Sequence, residues 1–354
     1  MRLDLFDYDL PPGRIAQRPL PERDASRMLV VDRASGGLND RAVRELPELL
    51  DRGDLLVAND SRVLPARLLG RREPGGGEVE ALLLEPAPDD ADAGQGSGGA
   101  GLWRALVRPA RKLALGARLV FAPGFEAEVA AVGERGERTL RLRAPGGVAA
   151  AIERHGHMPL PPYIHRPDEA ADRDRYQTIY ARAAGSAAAP TAGLHFTPDL
   201  LARLAARGVG WTTVRLHVGL GTFQPVEVSE IEDHPMHAER FEISAEAADA
   251  LNRARAAGRR LVAIGTTAAR VLETAAPEPG AAFTPQSGDT RIFLYPGRRF
   301  RAVDALLTNF HAPRTTLLMM IAAFAGLDPV RRAYAHALAA GYRFLSYGDC
   351  MLIR

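Results

Sequence analysis

The sequence has 354 residues, of which 46% are hydrophobic and 25% are charged, a composition that suits a globular chain of two domains. It excludes an intrinsically disordered protein. No apolar run reaches the roughly 18 residues that a membrane-spanning helix needs, and the start Met1-Arg2-Leu3-Asp4 does not have the pattern of a signal peptide. The single cysteine, Cys350, excludes an internal disulfide, so we expect a cytoplasmic protein that does not bind membranes.

The positive charge of the chain comes almost entirely from arginine. Lys112 is the single lysine among 45 basic residues, and the net charge is only +2. Arginine binds phosphate and carboxylate through paired, planar donors. The charge therefore permits nucleic-acid binding but does not require it.

The first part of the chain predicts the beginning of an α/β sheet. We expect a strand at 28–31, a helix at 41–50 that ends before Gly53, and a buried strand at 54–58. That strand ends in Asn59-Asp60-Ser61-Arg62, a group typical either of a turn or of a polar site.

The hydrophobic pattern of the sequence changes between residues 68 and 152. Short alternating runs broken by glycine and proline predict strands at 79–84, 103–107, 117–121, 127–132 and 139–143, as in a small barrel or sandwich. Within this region, residues 86–101 contain little to bury and predict a mobile, solvated loop. His155 and His157 begin a proline-rich return to the first domain and are too isolated for a metal site.

The second half reads as alternating strands and helices. Helices are predicted after Thr197 and Ser244, which have the residue type of N-caps, and at 268–273, 315–325 and 329–341. Strands are predicted at 211–218, 260–264, 291–295, 303–307 and 342–347, and a long loop at 274–289. The predicted fold is therefore an α/β domain with an open, mostly parallel sheet and flanking helices, interrupted by an inserted small β-barrel domain. Its predicted limits are 1–67 and 157–354 for the α/β domain and 68–156 for the barrel.

Four predicted strands end in polar residues, at 217–222, 265–267, 308–311 and 346–349. In an open α/β sheet, ligands bind outside the carboxyl ends of the strands, so these residues predict one binding cleft. The two threonines after Gly265 suit either an anion or ribose site at a helix N-terminus or ordinary helix caps.

Several familiar sites can be excluded or left open. Gly219-Leu-Gly221 lacks the third glycine and the helix of a dinucleotide fingerprint, and no phosphate-loop lysine, Gly-x-Ser-x-Gly or His-Glu-x-x-His motif is present. His234, His237 and Glu239 suit either a metal or, for the last two, a proton-transfer pair on one face of a strand.

The motifs of the chain closely resemble one family. They are Pro190-Thr-Ala-Gly-Leu-His-Phe-Thr197, the stretch from Val214 to Pro225, His237-Ala-Glu239, Gly265-Thr-Thr, Tyr295-Pro-Gly297, Thr308-Asn-Phe-His-Ala-Pro-Arg-Thr-Thr-Leu-Leu-Met319 and Tyr342-Arg-Phe-Leu-Ser-Tyr-Gly-Asp349. The chain resembles the S-adenosylmethionine:tRNA ribosyltransferase-isomerases of queuosine biosynthesis. The departures are mild: Gln224 stands where the family often has arginine, Ala238 where it often has serine, Ala268-Ala269 where Ser-Val is common, and Arg314 replaces lysine.

The resemblance implies a bacterial tRNA-modifying enzyme that acts as a monomer. Such enzymes transfer the ribosyl part of S-adenosylmethionine to the aminomethyl group of 7-aminomethyl-7-deazaguanine in tRNA and rearrange it to the epoxycyclopentanediol of epoxyqueuosine. Adenine and methionine are released. S-adenosylmethionine is consumed as a co-substrate, and no cofactor or metal is expected.

The resemblance and the residue chemistry together nominate a site. For proton transfer we expect His195, His217, His237 and Glu239. For S-adenosylmethionine we expect Gly219, Gly221, Thr222, Thr266, Thr267, Arg270, Asn309, His311 and Asp349, with Arg270 binding the methionine carboxylate. For tRNA phosphates we expect Arg62, Arg67, Arg108, Arg111 and Lys112. For the last three, a solvated charged surface is the better explanation unless the partner is RNA.

Two other classes of protein remain as alternatives. A non-catalytic RNA-binding module needs a basic barrel surface but no histidines among strand ends, and it releases no adenine from S-adenosylmethionine. A methyltransferase releases S-adenosylhomocysteine, and the glycine-rich loop after a first strand that such folds use is not found here.

Overall fold

The computed structural model describes residues 1–87, 100–219, 226–276, 278 and 281–354. The predicted loop at 86–101 lies almost wholly outside the described residues, and part of the predicted loop at 274–289 does too. The strands are β1 (Arg27–Val31), β2 (Leu38–Ala42), β3 (Leu55–Asn59), β4 (Ser61–Val63), β5 (Arg67–Glu73), β6 (Glu78–Pro86), β7 (Ala100–Arg108), β8 (Arg118–Ala122), β9 (Phe125–Val132), β10 (Glu137–Arg143), β11 (Ala183–Ser186), β12 (Gly210–Leu216), β13 (Glu239–Ile243), β14 (Leu261–Ile264), β15 (Gln286–Thr290), β16 (Ala305–Asn309) and β17 (Cys350–Ile353). The α-helices are α1 (Leu46–Leu49), α2 (Val148–His155), α3 (Asp172–Arg175), α4 (Pro198–Ala206), α5 (Ala245–Ala256), α6 (Gly265–Ala275), α7 (Thr316–Ala325) and α8 (Leu327–Ala339).

A nine-stranded sheet forms the α/β domain, in the order β15-β13-β12-β3-β14-β16-β17-β1-β2. Its centre, β12-β3-β14-β16, is parallel, and β17 joins β16 antiparallel. Across the described residues the sheet has four parallel and four antiparallel neighbouring pairs, so it is more mixed than the expected open parallel sheet. The α/β fold with flanking helices is confirmed.

Both faces of the sheet are covered, which explains why its central strands are almost purely apolar. Alternate residues of β1 enter two different cores: Leu29 packs with α5 to α8, and Met28 packs with α1 and α4. The predicted N-caps Thr197 and Ser244 each accept a hydrogen bond from a backbone N–H in the first turn. Thr315, predicted as the first residue of its helix, makes the same bond and is the N-cap of α7.

The inserted region is a closed barrel of six strands in the order β10-β7-β6-β5-β8-β9. Gly70 on β5 permits this closure, since a Cβ atom there would lie 2.4 Å from the carbonyl oxygen of Val120. The chain enters and leaves the barrel side by side, with hydrogen bonds of 3.2 and 2.8 Å between the backbones of Arg67 and His157. The barrel fold is confirmed, and the domain limits at 68 and 156 stay a prediction.

Three predicted elements are wrong. The helix at 41–50 begins later, at Leu46, because Arg41 and Ala42 pair with β1. The strand at 291–295 is replaced by β15, which ends at Thr290. There the Thr290 hydroxyl accepts the N–H of Ile292, so the chain leaves the ladder.

The predicted last strand at 342–347 is an irregular segment. Its backbone bonds to Arg14 and Phe310, and Leu345 has a left-handed φ of 69°, which extended backbone does not tolerate. The strand β17 follows it, from Cys350. Within the part of the chain that the structure describes, no helix combines the length and apolar character needed to cross a membrane.

Candidate active site

The site lies at the edge of the sheet where the parallel strands end. Because β12, β3, β14 and β16 are parallel, their carboxyl ends meet at this edge, and the antiparallel β17 begins there. Helix α6 also begins here, directly after β14. The polar residues that end the predicted strands therefore come together, although the fourth group precedes a strand instead of ending one.

A small inner pocket of about 90 Å³ lies between α6 and the end of β16. Its polar lining residues include Thr266, Thr267, Thr308, Asn309 and His311, together with Tyr163 and Ser346 from outside the sheet. The hydroxyl of Thr308 lies 2.7 Å from His311 Nε2. Burial lowers the pKa of His311 to about 3, so this imidazole is neutral at physiological pH.

Two polar atoms of the inner pocket are buried without a hydrogen-bond partner among the described residues. They are the Thr267 hydroxyl and Asn309 Oδ1. The amide nitrogen of Asn309 is held, by a bond of 3.1 Å to the Leu345 carbonyl oxygen, so the side chain is fixed with its oxygen free. Buried polar groups are nearly always paired, and two that are not, in one pocket, point to a bound ligand.

A larger outer cavity of about 480 Å³ lies between this edge and the barrel. It adjoins the inner pocket, since Val218 and Leu317 line both. The α/β domain contributes His217, Gly219, His237, Glu239 and Arg270 to its wall, among others. The barrel contributes Glu85, Arg104, Glu134, Arg135 and Glu137, none of which the sequence nominates. The sequence around these five residues does not indicate that they line a cavity, because only the folded barrel brings them opposite the sheet.

A buried ion pair between Glu239 and Arg270 organises the outer cavity. Each side chain is only 6% exposed, and Arg270 Nη1 donates to Glu239 Oε2. The other carboxylate oxygen accepts the N–H of Gly219 at 2.8 Å. Arg270 Nε and Nη2 have no partner in the described ranges, which leaves the paired edge of its guanidinium available to a carboxylate.

His217 follows β12 and faces the same cavity. Its Nδ1 is buried with no partner among the described residues. Gly185 lies against the ring with φ +133°, and a Cβ there would stand 3.0 Å from Nδ1, so only glycine leaves the imidazole this space. Burial first, and then the charge of Arg215, lowers the pKa of His217 from its ordinary value of 6.5.

Comparison with known proteins shows the family of the chain that forms this site. The family described as "Queuosine biosynthesis protein" matches residues 3–353. The chain belongs to this family. It is 55% identical to the S-adenosylmethionine:tRNA ribosyltransferase-isomerase of Rhodospirillum rubrum, covering 100% of this chain and 98% of that one. A protein of the same name from Symbiobacterium thermophilum is 52% identical, with 100% of both chains covered.

A solved structure is also similar over the whole chain. The crystal structure of the S-adenosylmethionine tRNA ribosyltransferase from Thermotoga maritima is 38% identical, and the match covers 99% of this chain and 100% of that one with a TM-score of 0.56. The resemblance drawn from the sequence motifs is confirmed.

Not every nominated residue lies at the cavities. His195 is buried behind Asn309, with Nε2 3.4 Å from the Asn309 amide nitrogen, and burial lowers its pKa to about 4. The two carboxylate oxygens of Asp349 accept the N–H groups of Arg27 and Arg343, at 2.9 and 2.8 Å, and Asp349 lines neither cavity, so its role in binding stays a prediction. Gly221 and Thr222 lie outside the described residues.

The nominated tRNA residues lie away from the outer cavity. Arg62 is paired with Glu153 at 3.3 Å, and Arg67 binds both carboxylate oxygens of Glu80. Arg67 and Arg108 line a separate groove on the barrel. Arg111 and Lys112 are exposed in a short turn before β8.

The metal alternative has no support in the geometry. Among the described residues no group of three histidine, cysteine, aspartate or glutamate side chains is placed to hold an ion. His234 and His237 both line the outer cavity, and burial lowers the pKa of His234. Glu239 is already bound to Arg270.

Proposed function

We propose that this protein is an S-adenosylmethionine:tRNA ribosyltransferase-isomerase. It transfers the ribosyl part of S-adenosylmethionine to the aminomethyl group of 7-aminomethyl-7-deazaguanine in tRNA, isomerises it, and releases adenine and methionine. Family membership over residues 3–353 and the names of relatives at 55% and 52% identity support the reaction. S-adenosylmethionine is consumed, and the protein works as a cytoplasmic monomer without a cofactor.

The assignment of the reaction to this site rests on one observation. Three groups have no hydrogen-bond partner among the described residues and lie along two cavities that share a wall: His217 Nδ1, the paired edge of Arg270 and the Thr267 hydroxyl. They offer a proton acceptor, a carboxylate-binding edge and a neutral hydrogen-bonding group. S-adenosylmethionine has matching parts: a carbon acid beside the sulfonium, a methionine carboxylate and an adenosine.

The inner pocket suits the adenosine part of the co-substrate. Thr266, Thr267, Asn309 and His311 present hydroxyl, amide and neutral imidazole groups, which recognise a purine or a ribose without adding charge. His195 supports this wall from behind, through Asn309. Gly221 and Thr222 stay predicted contacts of the same substrate.

The outer cavity suits the reacting atoms. A base must take a proton next to the sulfonium carbon, adenine must leave with a proton, and the amine must be deprotonated. His217, His237 and Glu239 line this cavity and are the groups that we assign to these transfers, each contributing roughly 10²–10⁴-fold. Arg270 holds Glu239 through one nitrogen and binds the methionine carboxylate through its paired edge.

The experiment that tests the function is a product assay. Purified protein is incubated with S-adenosylmethionine and tRNA that contains 7-aminomethyl-7-deazaguanine, and the products are separated by chromatography. We expect free adenine, free methionine and epoxyqueuosine in equal amounts. The same tRNA with guanine at that position is the control and should release no adenine.

Two results contradict the proposal. Release of S-adenosylhomocysteine identifies a methyltransferase, and tRNA binding with no consumption of S-adenosylmethionine identifies an RNA-binding module. Light scattering on the eluted protein, alone and with tRNA, checks the monomer.

A further inference from the structure

A further cavity adjoins the outer cavity at the surface of the α/β domain. It is an open groove of about 730 Å³, formed by the segment after β15 and the turn before β13. His234, Met236, Ile292, Phe293 and Leu294 line both it and the outer cavity, so the two are neighbours that share a wall.

The groove is rich in arginine. Arg291, Arg298 and Arg299 line it and are exposed, and within the described residues none of the three is paired with a carboxylate. Glu232 is the one acidic side chain in the lining. Three guanidinium groups without a carboxylate partner among the described residues, against one carboxylate, make this surface complementary to a polyanion.

Aromatic rings lie between these arginines. His234 and Phe293 meet edge to face with ring centroids 5.9 Å apart, and Phe293 and Tyr295 lie 5.0 Å apart. The guanidinium of Arg298 stands over the Tyr295 ring at 5.1 Å from its centroid, and its Nη2 donates to the Tyr295 hydroxyl at 3.1 Å. Rings on which bases stack, flanked by arginines that bind phosphates, are typical of surfaces for single-stranded nucleic acid.

We propose that this arginine-aromatic groove, made by Arg291, Phe293, Tyr295, Arg298 and Arg299, binds the tRNA strand that adjoins the reacting nucleotide. The inference rests on the proposed function and adds the surface that holds the RNA. The reacting base occupies the outer cavity, and the neighbouring nucleotides run along the groove, with phosphates on the arginines and a base on the rings. The barrel arginines nominated from the sequence have no such connection to the cavity.

The test compares charge reversals in two places. The triple variant Arg291→Glu, Arg298→Glu, Arg299→Glu is titrated with substrate tRNA by fluorescence anisotropy between 50 and 200 mM salt, roughly the range over which phosphate contacts show. We expect the slope of log K against log salt to fall by about 3 and the affinity to fall at least about 100-fold, because each lost phosphate contact removes about one unit of slope. Arg253→Glu on α5, exposed and outside every described cavity, is the matched control and should leave both unchanged.

Two further variants distinguish the contribution of charge to tRNA binding from a folding defect and from base stacking. Replacement of the same three arginines by lysine keeps the charge and should restore most of the slope. Tyr295→Leu should weaken tRNA binding about 5- to 100-fold with no change of slope, because stacking on an aromatic ring does not depend on salt. Binding of S-adenosylmethionine alone should be the same in all of them.

The outcomes distinguish this inference from the proposed function. If wild-type protein releases adenine but the triple glutamate variant binds tRNA with the wild-type affinity and slope, the groove does not hold the RNA. If Arg108→Glu with Arg111→Glu lowers the slope instead, the strand lies on the barrel, which also overturns the inference. If the wild-type protein releases no adenine at all, it is the proposed function that fails.

Discussion

The inner pocket and the outer cavity share a wall but differ in how their polar groups are held. In the inner pocket, His311 is neutral, its pKa lowered to about 3 by burial, and its neighbours are hydroxyl and amide groups. In the outer cavity, Glu239 and Arg270 form a buried ion pair, and one ring nitrogen of His217 has no partner in the part of the chain that the structure describes. One compartment offers only hydrogen bonds, and the other offers charges and proton acceptors.

This difference indicates that the inner pocket binds the ligand and that the outer cavity transfers protons. Neutral, fixed hydrogen-bonding groups bind a ligand equally before and during reaction, so losing one raises KM and leaves kcat nearly unchanged. Groups that move protons act in the transition state, so losing one lowers kcat. The predictions that follow test whether the compartments separate in this way.

The largest effect is expected from Glu239→Gln. Glutamine keeps the shape and the bond to the N–H of Gly219, but it removes the charge that faces Arg270. We expect turnover, measured as adenine release, to fall by about 10²–10⁴-fold. Breaking a buried pair also costs about 3–5 kcal/mol of stability, so unfolding in urea must be measured alongside.

Glu242→Gln is the matched control for that variant. Glu242 lies on the same strand but is 47% exposed and bonds to Arg215 at 2.7 Å. An exposed pair contributes about 0–1 kcal/mol, so activity and stability should both stay close to wild type. A folded Glu239→Gln protein with normal turnover would falsify the role of this carboxylate.

A smaller effect is expected from His217→Asn. The pKa of His217 is lowered from 6.5 by burial, so the imidazole stays neutral and able to accept a proton down to a pH below 6.5. In wild type, kcat/KM should therefore hold as the pH falls to 6.5 and decline only below it. The variant should lose about 100-fold in kcat, and this acid limb should disappear from its profile.

His165→Ala serves as the comparison for His217. His165 is exposed, and its contact with Gln17 is made by its backbone N–H, so the substitution should change neither rate nor profile. If the decline of kcat/KM at low pH persists in His217→Asn, the proton acceptor is another group of the outer cavity and not His217.

Much of the parallel centre of the fold could be predicted from local sequence. The apolar runs that became β1, β3, β14 and β16 are buried on both faces, and the predicted caps Thr197 and Ser244 mark their helices correctly. Local patterns were misleading at 291–295 and 342–347. At 342–347 the backbone bonds to the distant residues Arg14 and Phe310, which sequence spacing does not reveal. At 291–295 the chain leaves the ladder where the N–H of Ile292 bonds to the Thr290 hydroxyl.

The sequence also predicted part of the gathering of polar residues at one edge of the sheet. His217, Glu239, Arg270 and the threonines after Gly265 belong to strand ends and motifs, and the structure brings them together. Asp349 has the same sequence signal, yet its carboxylate caps backbone N–H groups, because a carboxylate next to a strand serves either purpose. The barrel wall and the arginine-aromatic groove depend on contacts between remote parts of the chain, so composition alone could not locate them.

The smallest effect, and the sharpest test of the inner pocket, is expected from Thr267→Val. The Thr267 hydroxyl is buried without a partner among the described residues, whereas the neighbouring Thr308 hydroxyl bonds to His311 at 2.7 Å. Valine has nearly the same shape, so removing the unpaired hydroxyl should leave the free energy of unfolding unchanged or raise it. Thr308→Val should lower that free energy by about 1–3 kcal/mol, because the His311 nitrogen loses its partner.

If the Thr267 hydroxyl bonds to the co-substrate, removing this hydroxyl should weaken substrate binding without lowering the stability of the free protein. KM for S-adenosylmethionine in Thr267→Val should rise about 5- to 10-fold, the equivalent of one hydrogen bond, while kcat stays within about twofold. The pattern of a more stable protein with a weaker ligand is the opposite of what a packing defect produces. An unchanged KM in a folded variant would mean that this hydroxyl faces no substrate, and that the adenosine lies elsewhere than in the inner pocket.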